Sequence, residues 1–168
     1  MNMNGYEIER KFLIVHPDEE LLRDLEYSEI TQTYLEMDEQ KKNERVRKRV
    51  FPDRTEYSHT VKTRINDVRR QEDETLITEE EYLRLLKRTD KSRRTILKTR
   101  YCLDYKGQEF EIDLYPFWFH QAVMELEMDS EEQKIEFPPQ ITVLREVTED
   151  RRYTNASLAR AIPKEDIV

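Results

Sequence analysis

One stretch near the start of the chain decides how the rest is interpreted: Glu7-Ile8-Glu9-Arg10-Lys11-Phe12-Leu13-Ile14-Val15. In a β-strand, successive side chains point to opposite faces, so Glu7, Glu9 and Lys11 share one face. Ile8, Arg10 and Phe12 share the other. Two carboxylates about 7 Å apart on one face, followed by an ammonium group, suit a hard divalent cation and the phosphate oxygens that it carries. A solvent-exposed strand with charged side chains is the alternative interpretation of this one motif.

The composition indicates a folded chain with unusually many charges. Its 168 residues suggest one domain, 1–168, that is long enough to bury a core. Charged residues make up 39% of the chain and hydrophobic residues 36%. Nine Tyr, six Phe and only two Gly argue against disorder, as does the absence of a low-complexity tract. We therefore expect part of the charge to lie inside the fold.

The charge balance and the cysteine content exclude several classes of function. The net charge of −8 argues against binding to nucleic acid or an anionic membrane as the main function, because phosphate groups are repelled. The single cysteine, Cys102, excludes an intrachain disulfide and fits a reducing compartment. No signal pattern or apolar run of membrane-spanning length is present. The sequence predicts a cytoplasmic, soluble protein.

The pattern of the first strand recurs along the chain. The third strand, about 44–51, aligns Arg45, Arg47 and Arg49, which repel one another unless they face water or share an anion. Later strands place further charged side chains together: Lys62 with Arg64; Arg70, Glu72 and Glu74; Arg94, Lys98 and Arg100; Glu111 and Asp113; Glu125 and Glu127. Acidic and basic strands therefore alternate.

About eight strands result, with helices between them. Two capping boxes predict helices: Thr78 with Glu81 begins one over about 78–88, and Ser130 with Gln133 begins one over about 130–137. Two architectures fit the strand pattern: a sheet whose charged faces are solvated, or a closed barrel with the charges in its lumen. Alternating acidic and basic strands permit neutralisation inside a barrel.

A set of short motifs in a fixed order resembles one known family. The motifs are Glu7-x-Glu9-x-Lys11, Gln32-x-Tyr34-Leu35, Arg45-x-Arg47, Lys62, Arg70-x-Glu72-x-Glu74, Lys98-x-Arg100, Glu111-x-Asp113, Glu125-x-Glu127 and Arg152-Tyr153-x-Asn155. The chain is similar to the CYTH superfamily, or triphosphate tunnel metalloenzymes, and among them to the small bacterial inorganic triphosphatases. The similarity spans nearly the whole chain.

The resemblance implies an α+β fold, namely an eight-stranded antiparallel closed β-barrel, or tunnel, with a charged lumen and peripheral helices. It implies Mg²⁺ or Mn²⁺ as cofactor, held by Glu7, Glu9, Asp113, Glu125 and Glu127. Phosphate oxygens would be bound by Lys11, Arg45, Arg47, Lys62, Lys98, Arg100 and Arg152. Glu7, Glu9 and Lys11 form the implied catalytic set. Glu72, Glu74 and Glu111 would hold a second metal ion or support the basic side chains.

The resemblance also implies hydrolysis of a triphosphate, with inorganic tripolyphosphate as the favoured substrate. ATP and thiamine triphosphate are alternative substrates. A class IV adenylate cyclase and a binding module for polyphosphate or nucleotides are the alternative functions. Asn4-Gly5-Tyr6 stands where the cyclase type usually has a histidine-containing start, which favours the hydrolase. Monomer and homodimer both fit the sequence, and no nucleic acid or membrane partner is expected.

Overall fold

The computed structural model describes residues 8–37, 43–64 and 70–166, except for the side chains of Arg64 and Arg70. Predictions that concern Glu7 therefore lie outside the described residues. The described residues form nine strands: β1 (Ile8–Val15), β2 (Glu26–Tyr34), β3 (Asn43–Val50), β4 (Thr55–Arg64), β5 (Arg70–Ile77), β6 (Ile96–Tyr105), β7 (Gln108–Leu114), β8 (Gln121–Met128) and β9 (Val143–Glu146). The helices are α1 (Glu19–Arg23), α2 (Glu79–Leu85) and α3 (Asn155–Leu158), with 3₁₀ turns at Leu86–Arg88 and Arg151–Tyr153. Across the described ranges, no helix has the length and apolar character needed to span a membrane.

The sheet is open, with β5 at one end of its strand order and β9 at the other. The predicted α+β class is confirmed, since antiparallel strands dominate and the helices are few and short. The prediction of a closed eight-stranded barrel is wrong. The ninth strand arises because the segment after Pro138-Pro139 returns along β1, where Glu146 pairs with Phe12 and Arg145 with Leu13. Strand β1 therefore pairs with β8 on one side and with β9 on the other.

The described chain divides into two compact units. The first comprises residues 8–27, 98–154 and 162–166, and the second comprises 28–37, 43–64, 70–97 and 155–161. The assignment of residues 1–168 to a single domain stays a prediction.

The first unit contains the run of strands β6-β7-β8-β1-β9. Its apolar core lies on one face of this run, where hydrophobic residues recur at every second position over most of β1, β7 and β8. The buried side chains of that core include Phe12, Ile14, Phe110, Ile112, Met124, Leu126 and Met128. Phe137 packs edge-on against Phe12, with ring centroids 5.0 Å apart. On β8, Glu125 and Glu127 lie on the face opposite to Met124, Leu126 and Met128.

The second unit contains the run β5-β4-β3-β2. One face of its strands is covered by α2, where Leu35, Val46 and Tyr82 form a small buried core. The rings of Tyr57 and Tyr82 lie 4.9 Å apart there. Tyr82 of this helix packs against the strands and is 5% exposed, whereas Leu83 points outward and is 54% exposed. The opposite face carries Arg45, Arg47 and Arg49 of β3, Lys62 of β4, and Glu72 and Glu74 of β5.

Helix α2 begins at the predicted N-cap. The Thr78 hydroxyl accepts a hydrogen bond from the Glu81 backbone N–H at 3.1 Å, which satisfies one of the first free donors of the helix. The Thr78→Ala substitution removes that bond, so we expect a loss of about 0.5–2 kcal/mol in the free energy of unfolding. Urea denaturation followed by circular dichroism measures it.

Ser130 provides the matched control for this prediction. The helix predicted over about 130–137 is absent: residues 129–132 form bends and turns, and residues 133–138 are irregular. Ser130→Ala removes the same hydroxyl where there is no helix to cap, and its effect should stay within about 0.5 kcal/mol. Equal losses in the two variants would contradict the assigned capping role of Thr78.

Candidate active site

Four strands of the first unit bring the predicted charged residues to one face. Side chains that oppose each other across an antiparallel pair lie on the same side of the sheet. The opposed pairs are Glu9 with Glu127, Lys11 with Glu125, Glu125 with Glu111, and Arg100 with Asp113. The alternation of charged and apolar residues in β1, β6, β7 and β8 is the local reason for this arrangement. We call this set, with Lys98, the carboxylate face.

Glu9 and Glu125 form a hydrogen-bonded pair of carboxyl groups on the carboxylate face. That hydrogen bond, partial burial and the negative charge of Glu125 raise the pKa of Glu9 to about 8. Burial acts to raise the pKa of Glu125, but the hydrogen bond with Glu9 and the charge of Lys11 hold it below its usual value. Lys11 Nζ lies 3.2 Å from Glu125 Oε1. The two carboxyl groups therefore share one proton near neutral pH.

A shared proton between two carboxylates marks a place that suits a divalent cation. Hard cations such as Mg²⁺ bind carboxylate oxygens, and binding releases protons held by the ligands. Glu9 and Glu125 fit this donor set, and Glu127 lies opposite Glu9 on the neighbouring strand. Within the described ranges, no group of three or more His, Cys, Asp or Glu side chains is arranged to hold a metal ion. The metal-ligand assignments, including that of Glu7, stay predictions.

Asp113 is bound on both of its oxygens by basic side chains. Lys98 Nζ donates to Oδ2 at 2.8 Å, and Arg100 donates from Nε to Oδ1 at 2.8 Å and from Nη2 to Oδ2 at 3.0 Å. The side chains of Lys98 and Asp113 are each only 1% exposed. Burial acts to raise the pKa of Asp113, but the charges of Lys98 and Arg100 hold it well below its usual value. Asp113 is therefore ionised, and both of its oxygens accept hydrogen bonds from basic side chains.

The second unit groups the other predicted basic and acidic residues. Arg45 Nη2 lies 3.4 Å from Glu72 Oε1, and Lys62 Nζ lies 3.9 Å from Glu72 Oε2. Arg47 Nη2 lies 3.4 Å from Glu74 Oε1. The two glutamates are about half exposed, with values of 48% and 45%, whereas the arginines are 18% and 20% exposed. These contacts favour the interpretation in which Glu72 and Glu74 support the basic side chains.

Arg152 is placed differently from the other predicted phosphate-binding residues. It lies in the 3₁₀ turn Arg151–Tyr153 rather than on a strand, and its side chain is 65% exposed. It donates to both carboxylate oxygens of Asp150, at 3.0 and 2.6 Å. Its position in the first unit next to the buried Tyr153 is established, and its role in binding phosphate stays a prediction.

Comparison with solved structures identifies the family of this chain. The inorganic triphosphatase NE1496 is 33% identical, with 98% of this chain and 100% of that chain covered and a TM-score of 0.65. A second structure, titled the hypothetical protein NE1496, is 34% identical, with 94% and 100% covered and a TM-score of 0.64. The chain belongs to the CYTH superfamily. No protein-family model matches it, and no curated protein does.

A more distant structure agrees with the fold of this CYTH chain. The PH1819 protein from Pyrococcus Horikoshii OT3 is 22% identical, with 76% of this chain and 80% of that chain covered and a TM-score of 0.50. At this identity the similarity concerns the fold alone.

One contact of Lys11 has no counterpart in the CYTH motifs. Lys11 Nζ donates to the backbone carbonyl of Tyr153 at 3.3 Å, so the Tyr153 backbone helps to fix the ammonium group beside Glu125. A backbone carbonyl has no signature in the sequence. Only the motif Arg152-Tyr153-x-Asn155 pointed to this segment, and the Tyr153 ring is 2% exposed and serves packing.

The proton shared by Glu9 and Glu125 should make the stability of the metal-free CYTH protein depend on pH. The pKa of Glu9 is about 8 in the folded state against an ordinary value of 4.5, so the folded protein holds a proton that the unfolded chain loses. Stability from this source is complete below about pH 4.5 and is lost as the pH rises through about 8. Thermal melting in chelator from pH 5 to 8.5 should therefore show a falling midpoint.

Glu9→Gln should flatten this dependence, because the amide does not titrate. Glu109→Gln is the matched control, since Glu109 is an exposed glutamate on β7. It should keep the slope of the wild-type protein. An unchanged slope in Glu9→Gln would contradict the raised pKa of Glu9.

Proposed function

We propose that this CYTH protein is a divalent-metal-dependent triphosphatase that hydrolyses inorganic tripolyphosphate to pyrophosphate and orthophosphate. One observation carries the proposal: the chain is 33% identical over nearly its full length to a protein titled an inorganic triphosphatase. The carboxylate face supports it, because a carboxyl pair beside an ammonium group suits a metal ion and the phosphate oxygens that the ion carries. We propose a cytoplasmic location on the basis of the single cysteine, Cys102.

The proposed ligands of Mg²⁺ or Mn²⁺ are Glu7, Glu9, Glu125 and Glu127. When bound, the metal ion offsets phosphate charge and lowers the pKa of a bound water molecule. With a metal ion bound, Glu9 would hold it as a carboxylate, without the proton that it shares with Glu125. Lys11, held by Glu125 and the Tyr153 carbonyl, would bind a phosphate oxygen of the substrate.

The basic side chains of both units are proposed to bind phosphate oxygens. In the first unit these are Lys11, Lys98, Arg100 and Arg152, and in the second they are Arg45, Arg47 and Lys62. Arginine and lysine stabilise the charge that spreads over the equatorial oxygens during phosphoryl transfer. Glu72 and Glu74 orient the second set, since they lie within ion-pair distance of it.

Phosphorus NMR of the reaction products tests the proposed function. Purified protein is given tripolyphosphate or ATP with Mg²⁺, with Mn²⁺ or with chelator. The expected result is metal-dependent conversion of tripolyphosphate to equal amounts of pyrophosphate and orthophosphate, with ATP nearly unchanged. Cyclic AMP and pyrophosphate from ATP would instead identify a cyclase. Binding of tripolyphosphate without turnover at saturating metal would identify a binding module.

A further inference from the structure

The ion pairs of Asp113 set it apart from the other carboxylates of the carboxylate face. Glu125 opposes Lys11 and Glu111 and shares a proton with Glu9. Asp113 has no such shared proton, because three donors from Lys98 and Arg100 already occupy its two oxygens at 2.8–3.0 Å. A metal ion could reach these oxygens only by displacing one of the cations.

Displacement of the Lys98 ammonium group from Asp113 by a metal ion would be unfavourable in free energy. Its side chain is 1% exposed, so removal of its partner would leave an ammonium group buried without a counter-charge. Arg100 is only 11% exposed and is bound by Asp113 through two nitrogens, which makes this the strong, bidentate kind of ion pair. The donor set around Asp113 therefore does not fit a metal ligand.

The same contacts fix the direction in which Arg100 presents its remaining donors. Nε and Nη2 are turned towards Asp113, whereas Nη1 lies 2.8 Å from Glu111 Oε2. Glu111 is 37% exposed, so the Nη1 edge of the guanidinium faces the accessible part of the carboxylate face. A phosphate oxygen that replaces the Glu111 carboxylate would meet a guanidinium already held in position.

We propose that Asp113 is a positioning residue, which holds Lys98 and Arg100 in place for the phosphate groups of the substrate and does not bind the metal ion. The proposal rests on the proposed function, because it assumes a triphosphate bound at the carboxylate face. It gives Asp113 a different role from that of Glu125, although the resemblance implies the same role for both.

Two binding measurements separate these roles without any turnover. The first is the affinity for Mn²⁺ alone, from the electron paramagnetic resonance signal of free Mn²⁺. The second is the affinity for tripolyphosphate in chelator, from isothermal titration calorimetry. The variants are Asp113→Asn, Glu125→Gln and the double variant Lys98→Met/Asp113→Asn. The double variant removes both charges of the buried pair, so it keeps the local net charge and leaves no lysine unpaired.

We expect Glu125→Gln to weaken Mn²⁺ binding by about tenfold or more. Asp113→Asn should keep the Mn²⁺ affinity within about threefold, and the double variant should match the wild-type protein, since neither variant removes a ligand. Asp113→Asn should weaken tripolyphosphate binding by about tenfold, because Arg100 loses its charged partner. A merely structural role would instead weaken the binding of Mn²⁺ and of tripolyphosphate together.

Two results would overturn the proposal. The first is a loss of Mn²⁺ affinity in Asp113→Asn and in the double variant as large as that in Glu125→Gln, which would make Asp113 a ligand. The second is an unchanged tripolyphosphate affinity in Asp113→Asn. If the wild-type protein binds tripolyphosphate but does not hydrolyse it, the proposed function fails and the expected binding pattern still supports the role of Asp113.

Discussion

Glu125→Gln is expected to reduce the metal-dependent hydrolysis of tripolyphosphate by at least about 100-fold, with little change in the volume of the side chain. Glu125 is the centre of the carboxylate face: it shares a proton with Glu9 and lies 3.2 Å from Lys11. The amide carries no negative charge and therefore attracts a divalent cation less strongly than the carboxylate does. It also leaves Lys11 without its carboxylate partner. Initial rates at several Mg²⁺ concentrations measure the effect.

Glu109→Gln controls for the loss of one negative charge, because Glu109 lies on β7 but is exposed and opposes Asp104 instead of Glu125. It should retain nearly full activity. The measurement also includes the melting temperature of both variants, so that misfolding is recognised. If Glu125→Gln keeps its activity and its dependence on Mg²⁺, the assignment of the metal site to the carboxylate face is wrong.

Asp113→Ala is expected to lower the free energy of unfolding by about 3–5 kcal/mol, the usual cost of removing one partner of a buried ion pair. Both Lys98 and Arg100 lose their counter-charge, and Lys98 cannot reach solvent because its side chain is 1% exposed. Burial already lowers the pKa of Lys98, so the loss of Asp113 favours its neutral form further. Urea denaturation at pH 7 measures the change.

The double variant Lys98→Met/Asp113→Ala should recover part of this loss, since no buried ammonium group then remains unpaired. The two single variants and the double variant form a cycle that isolates the coupling between the two side chains. A loss below about 1 kcal/mol in Asp113→Ala would show that the pair contributes no more than an exposed salt bridge. Additive effects in the cycle would contradict direct coupling.

The strands could be predicted from the sequence because their signal is local. Alternation of charged and apolar residues assigned Glu9 and Lys11 to one face of β1, and Glu125 and Glu127 to one face of β8; the structure confirms both. The cap of α2 at Thr78 was likewise predictable, since its hydrogen bond reaches only three residues along the chain. Such features depend on neighbours in sequence.

The helix predicted to begin at Ser130 does not form, because two side-chain amides bind backbone groups that the capped helix would use. Gln133 uses its side-chain oxygen to accept the backbone N–H of Asp129 at 2.9 Å. The amide of Gln108 accepts from the backbone N–H of Glu136 at 3.2 Å and donates to its carbonyl at 2.8 Å. Gln108 is 28 residues away in sequence, so its competing hydrogen bonds could not be anticipated from the local pattern.

By itself, the sequence determined the strand periodicity, the separation of a charged face from an apolar face on those strands, and the set of side chains that belong to the site. These follow from residue types and from the two-residue period of a strand. Only the tertiary structure decided which charges meet: that Glu9 shares a proton with Glu125, and that Asp113 is enclosed by Lys98 and Arg100. It also decided that β9 pairs with β1 and that the sheet is open. The physical reason is that register and burial depend on contacts between segments distant in sequence, and burial sets the strength of each ion pair.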